Sequence, residues 1–278
     1  MNDPNRDEAV NLRRILQNQA YVRAYEDVGL LNRAELRPVR LQLELLKAEL
    51  HQQEHRIEST IVLFGSARIL PPEEARDQLE VALRRAKAAP DDESCKLAVR
   101  VARNRVDLAR YYDEARNFGR IVSEASQQGE RLHSVITTGG GPGIMEAGNR
   151  GAWDAHAKSV GMNITLPFEQ APNAYITPDL CFLFHYFAVR KMHLLLRARA
   201  AIFFPGGFGT MDELFETLTL VQTGKAQPMP IVLMGRDWWE RFVDFDFLVE
   251  QGTISPGDID LITYVETAEE AWEVIGPE

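Results

Sequence analysis

Two glycine-rich segments define the chemistry open to this chain. The first, Gly139-Gly140-Gly141-Pro142-Gly143, follows Thr137 and Thr138; the second, Pro205-Gly206-Gly207-Phe208-Gly209-Thr210, follows Phe204. Each stands between a short apolar run and a helix-favouring stretch. Glycine lets the backbone approach a ligand closely and adopt positive φ. A helix start behind such a loop offers unpaired N–H groups and the positive end of a dipole, together a cradle for a phosphate. One such loop reads equally well as a tight β–α turn; two in one sheet point to a ligand. Neither is a P-loop, because no Lys-Ser/Thr pair follows the last glycine. Neither completes G-x-G-x-x-G, since the third position is Glu146 in one and Asp212 in the other. Classical NTPase and NAD chemistry therefore lose weight.

The ionisable residues around these loops have open readings. Thr210 and Glu213 are spaced T-x-x-E, so Glu213 is either a capping-box partner of Thr210 or a carboxylate offered to sugar hydroxyls or to a water. Asp212 and Glu216 lie beside it. Carboxylates at a helix start suit the dipole but repel a phosphate placed too near. Arg190 and Lys191 open the helical stretch VRKMHLLLRAR, where cations oppose the dipole; the pair is either solvated or functional. His185 and His193 are eight residues apart, which fits no compact metal motif, so they read as packing or hydrogen-bonding groups.

The elements that must position these groups alternate. STIVLFGSAR is a short, continuous apolar run ended by Gly65, as expected of a buried parallel strand. Residues 73 to 128 are helical in character, broken near Ala89-Pro90-Asp91-Asp92, and the piece from about Glu93 reads as one long amphipathic crossover helix. HSVITT, SVGMNI, DLCFLFHYF, AAIFFP, MPIVLMG and IDLITYV read as strands or extended segments, interleaved with helices. The pattern predicts an α/β fold: a Rossmann-like, doubly wound parallel sheet with helices on both faces. Residues 1–58 read as an N-terminal helical arm, with Leu41, Leu43, Leu45, Leu46 and Leu50 giving a partly helical apolar spacing. Residues 59–278 form the predicted nucleotide-binding catalytic domain.

Taken together, GGGPGIMEAGNRGA (Gly139–Ala152), the Arg190-Lys191 pair and PGGFGTMDE (Pro205–Glu213) resemble the LOG family, cytokinin-activating nucleoside 5′-monophosphate phosphoribohydrolases once labelled lysine decarboxylases. The resemblance runs from about Thr60 to Val265. The chain departs from compact members in its N-terminal arm and in the helical stretch between the first two strands. The resemblance implies hydrolysis of the N-glycosidic bond of AMP, a cytokinin nucleotide or another nucleotide, giving free base and ribose 5-phosphate. By position it makes Glu213 the catalytic glutamate and Arg190 the catalytic arginine. It makes Gly206, Gly207, Gly209 and Thr210 the phosphate loop, and Gly65 and Ser66 another ligand-lining turn. Gly139, Gly140, Gly141, Gly143, Glu146 and Lys191 are further candidate contacts to substrate or phosphate. It implies no metal or redox cofactor, and a homodimer or higher homo-oligomer.

Other classes remain open on the same residues. A non-catalytic nucleotide or molybdenum-cofactor carrier is one, because related folds with the same loop bind that cofactor. A pyridoxal phosphate decarboxylase is another, but it needs a Schiff-base lysine, and Lys158, Lys191 and Lys225 sit in no recognisable setting for one. The balance of 31 Lys+Arg against 41 Asp+Glu, a formal charge of −10, argues against a nucleic-acid partner, which needs clustered cations. It leaves room for one small anion held by local dipoles. Two cysteines are too few for a disulfide framework, no apolar run approaches a membrane span, and the first residues carry no apolar leader. A cytoplasmic setting is the expectation.

Overall fold

The structure, a computed structural model, describes residues 7–167 and 171–277. The chain divides into two compact units, Met1–Lys47 and Ala48–Glu278. The first holds α1 (Glu8–Leu16), α2 (Val28–Leu31) and most of α3 (Arg37–Glu54). Aspartates start its first two helices: Asp7 accepts from the Ala9 N–H and Asp27 from the Leu30 N–H, each satisfying an orphan donor of the first turn. The leucines between Leu41 and Leu50 all fall in α3, as their spacing predicts.

The second unit alternates strands and helices. In order they are β1 (Thr60–Phe64), α4 (Pro72–Ala88), α5 (Glu93–Leu108), α6 (Arg110–Ser126), β2 (Val135–Thr138), α7 (Ile144–Asp154), β3 (Ser159–Ile164) and β4 (Cys181–Phe184). There follow α8 (Phe187–Leu196), β5 (Ala198–Phe203), α9 (Phe208–Gln222), β6 (Ile231–Met234), α10 (Arg236–Phe242), α11 (Phe245–Glu250), β7 (Ile262–Val265) and α12 (Ala268–Ile275). Among the described residues these seven strands form one sheet in the order β4-β3-β2-β1-β5-β6-β7, every pairing parallel. From β1 the chain winds outward to β4, crosses back to β5 and winds outward the other way to β7. This is the doubly wound α/β architecture expected from the sequence, and its strand order reverses between β1 and β5. The central strands read as continuous apolar runs because they are covered on both faces: Ile61, Val62, Leu63, Ala201, Ile202 and Phe203 have no exposed surface.

One expectation is corrected. The helical stretch after Glu93 is two helices, not one, with the break at Ala109. Asp92 caps α5 by accepting from the Ser94 N–H, and α5 returns against α4 as a hairpin with Leu97 and Val101 left exposed. Only α6 is the true crossover helix. It buries Tyr111, Tyr112, Ala115, Phe118 and Val122, an i, i+3/i+4 stripe, towards the core. A turn between the two helices allows the amphipathic face of α6 to follow the sheet while α5 packs back on α4.

The α6–α7 contact is set by small residues. A Cβ placed on Gly119 would strike the Gly148 carbonyl, and one on Gly151 would strike the Arg116 carbonyl. These glycines let the two backbones touch, and so hold α7, with the loop preceding it, at its position over β1 and β2. Helix propensity alone predicts that Gly151→Ala stabilises the protein by up to about 1 kcal/mol. The packing predicts the opposite, a loss of about 1–3 kcal/mol from forced separation of the helices. Urea unfolding of the variant decides between them, and an unchanged or raised midpoint would refute the packing account.

Candidate active site

Three loops leave the carboxyl ends of neighbouring strands at the point where the strand order reverses, the place where open α/β sheets bind ligands. They are residues 65–68 after β1, 139–143 after β2 and 204–207 after β5. The loops lock together. The Ser66 N–H donates to the Pro205 carbonyl at 3.1 Å, and the Ile144 N–H donates to the Ser66 carbonyl at 3.2 Å. Gly143, with φ +71°, lies so close to Ser66 and Ala67 that a Cβ there would overlap the Ser66 carbonyl. Asparagines brace the middle loop. Asn173 donates from its backbone to the Gly140 carbonyl (2.9 Å) and from its side chain to that of Gly141 (3.0 Å). The buried Asn149 accepts from the Thr138 hydroxyl at 2.7 Å and donates to Ser159 at 3.0 Å. Gly140 takes φ +73°, and a Cβ there would overlap the Asn163 amide.

Between the β1 and β5 loops opens a cleft of about 530 Å³. Of the residues expected from the sequence, Gly65, Ser66, Arg190, Gly207, Gly209, Thr210 and Glu213 line it directly. Ala67, Arg68, Met145, Phe208, Met211 and Phe242 complete the lining. The cleft-lining residues and the remaining candidates thus divide. Gly139 stands behind Arg190: a Cβ on it would come within 2.6 Å of the guanidinium, so this glycine makes the room in which the arginine lies. Gly206 packs its Cα against Thr210 and shapes the turn. Glu146 accepts a hydrogen bond from the Tyr112 hydroxyl at 2.7 Å, and Lys191 is held by Asp212 at 2.9 Å and Glu216 at 2.8 Å. His193 is buried against Phe184 and His185 packs on Tyr186, as packing histidines. No group of three His, Cys, Asp or Glu residues among the described residues is placed to hold a metal ion.

Two local readings change. The helix behind the second loop starts at Phe208 with Gly207 as its N-cap and no side-chain cap. Thr210 is therefore its third residue, and Glu213 lies in the second turn, beyond the reach of a capping box. Its first turn carries no acidic residue, so the like-charge conflict foreseen from Asp212 does not arise at the N–H groups of residues 208–210. Likewise α8 begins at Phe187, which places Arg190 and Lys191 past the opening residues, where their conflict with the dipole is smaller. In both cases glycine or aromatic residues start the helix, and composition alone hid that start.

Glu213 faces Arg190 instead. The Arg190 Nη2 is 3.4 Å from Glu213 Oε1, and its Nε donates to the Met162 carbonyl within β3 at 2.9 Å. Both side chains are largely buried, 11% and 15% exposed. Burial pushes the Glu213 carboxyl up to about 7; Arg190 counteracts this and Asp212 adds to it. Burial also pulls Arg190 down from its ordinary value, against the pull of Glu213, but a guanidinium stays charged at any working pH. Around Lys191, burial lowers the pKa and the hydrogen bonds to Glu216 and Asp212 outweigh it, so the net shift is upward. The cleft thus sets the pinned guanidinium of Arg190 against a carboxyl able to exchange a proton near neutrality.

Six lining residues lie outside the expected set; Ala67 and Met211 are direct chain neighbours of Ser66 and Thr210. Arg68 is an exposed cation three residues after Gly65, legible as the end of GSAR. Phe208 is visible as the one bulky residue in a glycine turn. Met145 sits one position from a named candidate. Phe242 is 29 residues beyond Glu213, on α10, and nothing in its sequence neighbourhood announces the cleft.

The raised carboxyl has a consequence for stability. A carboxyl with a folded pKa above its unfolded value favours the folded state in its protonated form. That contribution is full below about pH 4.5 and is lost as pH rises through about 7. The protein is therefore expected to lose stability relative to Glu213→Gln between pH 5 and pH 8.5, since glutamine does not titrate and Arg190 stays charged throughout. Thermal melts of both proteins across this range test the sign; a constant difference would show that Glu213 does not titrate there.

Part of the chain is similar in sequence to known proteins. Residues 145–275 match the family described as "possible lysine decarboxylase". A cytokinin riboside 5′-monophosphate phosphoribohydrolase, LOG3 of Arabidopsis thaliana, is 36% identical over 83 residues, 29% of this chain and 38% of that protein. The "probable cytokinin riboside 5′-monophosphate phosphoribohydrolase LOGL3" of Oryza sativa subsp. japonica is equally similar, with 39% of its length matched. The match spans about two fifths of these curated relatives. Among solved structures, a structural-genomics target, TM1055, aligns with a TM-score of 0.46 at 18% identity, over 78% of this chain and 98% of that one. A molybdenum cofactor binding protein from the phototrophic bacterium Rippkaea orientalis aligns with a TM-score of 0.41 at 20% identity, over 59% of this chain and 85% of that one. In the pattern of its second glycine loop and over the matched residues 145–275, the chain is similar to the LOG family.

Proposed function

We propose that this protein is a nucleoside 5′-monophosphate phosphoribohydrolase, with AMP as the first candidate substrate. The observation that carries the reading is the desolvated Glu213–Arg190 pair on the cleft wall, beside an acid-free helix start. The curated relatives' names support the same chemistry.

In this reaction the bond between C1′ and the base nitrogen breaks with both electrons leaving on the base. Water adds its oxygen to C1′, and its second proton ends on the base nitrogen. The sugar passes through an oxocarbenium-like state, which a carboxylate beside the anomeric carbon stabilises while accepting a proton from water. A carboxyl with a pKa near 7 suits that task, because its base form is populated at neutral pH and still basic enough to take a proton. Arg190, fixed through its Nε on the Met162 carbonyl, supplies positive potential for the departing base. N–H groups at the start of α9 suit the 5′-phosphate, and phosphate held there fixes the sugar relative to Glu213.

Three outcomes follow, read as free base by chromatography. AMP should be cleaved far faster than adenosine, which lacks the group that the loop grips. Equal rates on the two would remove the phosphate-loop assignment. A panel of nucleoside monophosphates then ranks the bases. In single-turnover assays Glu213→Gln should lower base release by roughly two orders of magnitude or more, the scale of a lost general base or preorganised charge. The protein's kcat should rise with pH through about 7 and flatten above it, a limb missing from the variant's residual activity. A protein that binds AMP tightly and releases no base would be a carrier.

A further inference from the structure

We infer that Phe208 and Phe242 grip the base of the bound nucleotide between their rings and so set which bases are accepted; this rests on the nucleotide reading of the cleft. The polar side chains of the cleft, Arg68, Arg190, Thr210 and Glu213, suit a phosphate and a sugar. Its aromatic lining suits something flat and apolar. Phe208 is 96% exposed at the first position of α9, which leaves its ring almost without protein contact. The glycines on either side, Gly207 and Gly209, leave open space where a side chain would be. An aromatic ring with such open flanks, on the lip of a charged cleft, is placed to receive a ligand's flat face.

Phe242 differs in being held. Its ring, half exposed in the same cleft, is stacked on Trp238 at 5.5 Å and 8°. Trp238 meets Trp239 edge-on at 4.8 Å, and Trp239 is fully buried with its indole N–H donating to the Met234 carbonyl at 3.1 Å. A ladder of three rings therefore runs from the end of β6 to the cleft and presents one rigid face there. Phe208 supplies a second face that is free to adjust. Stacking accepts any base, because each has a π face, and it discriminates by ring area rather than by hydrogen-bonding pattern. On this basis purine nucleotides should bind more tightly than pyrimidine nucleotides.

The test separates the base from the rest of the ligand. Titration calorimetry is carried out in the Glu213→Gln background, which slows cleavage of AMP, with AMP and with ribose 5-phosphate as ligands. Phe208→Ala should weaken AMP by on the order of tenfold or more and leave ribose 5-phosphate unchanged. Phe208→Tyr should retain most of the AMP affinity, and Phe242→Leu should weaken AMP without weakening ribose 5-phosphate. Thermal melts check that Phe242→Leu remains folded; if it does not, the Phe208 pair still decides. Unchanged AMP binding in Phe208→Ala would overturn the inference, as would equal weakening of both ligands, which would make Phe208 a support of the phosphate loop. Ribose 5-phosphate binding without AMP, GMP, CMP or UMP binding would also overturn it. If AMP binds but the unsubstituted protein never releases base, the hydrolase reading fails, while the same variant comparison still decides the grip.

Discussion

Arg190 and Glu213 are each buried enough that the charged form is disfavoured, and at 3.4 Å their attraction offsets only part of that cost. The result is not a closed salt bridge that locks two elements together. It is an arginine pinned elsewhere, through its Nε on the Met162 carbonyl, facing a carboxyl whose proton is weakly held. Much of the surrounding structure can be traced to this constraint. Gly139 has no side chain because the guanidinium occupies that space. The neighbouring carboxylates Asp212 and Glu216 are drawn off by Lys191, so that they are paired with a cation of their own. A buried titratable group in a cleft, perturbed by desolvation and a specific partner, is the arrangement in which functional acids and bases recur.

Such a pair is useful only if its walls do not drift, and the loops provide this by close backbone approach rather than by side-chain bulk. The β1 loop is bonded to both the β2 and β5 loops. Glycines stand where two backbones meet, and asparagines take up the carbonyls of the turn. Further out, the glycine contacts between α6 and α7 fix the helix that carries the middle loop. Rigidity therefore passes from a helix–helix contact to the loop behind Arg190. By contrast a Cβ on Gly207 or Gly209 would meet nothing, and Phe208 between them is nearly bare. The site joins a braced floor to an open lip, a division that suits fixed chemistry and variable recognition.

The sequence by itself determined a good deal. The apolar runs in 60–64, 135–136, 200–204 and 231–234 read as strands buried on both faces, and their alternation with helices implied a parallel sheet. Glycine clusters after two of those strands pointed to the end of the sheet where the cleft opens, because they mark close backbone approach. Helix starts were less legible. Thr210-x-x-Glu213 has the spacing of a cap, yet Gly207 took that role three residues earlier, and propensity does not see the strand-end geometry that makes this possible. The break at Ala109 was hidden because alanine favours helix on both sides of it, and only packing against the sheet decides where the axis must turn.

The tertiary structure decided what those residues face. Spacing put Glu213 and Arg190 23 residues apart, with no indication that β3 would hold the arginine and the carboxyl would lose its water. Desolvation depends on every atom packed around a group, so a shift to about 7 has no counterpart in a local motif. Phe242 shows the same limit: its place in the cleft follows from a strand order that sets β6 beside β5, and from two tryptophans that aim its ring. Local sequence specifies which elements form and where the chain can come close to a ligand. Which side chains share one dry, charged space is settled by the crossover connections, because they bring together residues whose neighbourhoods in the chain carry no trace of one another.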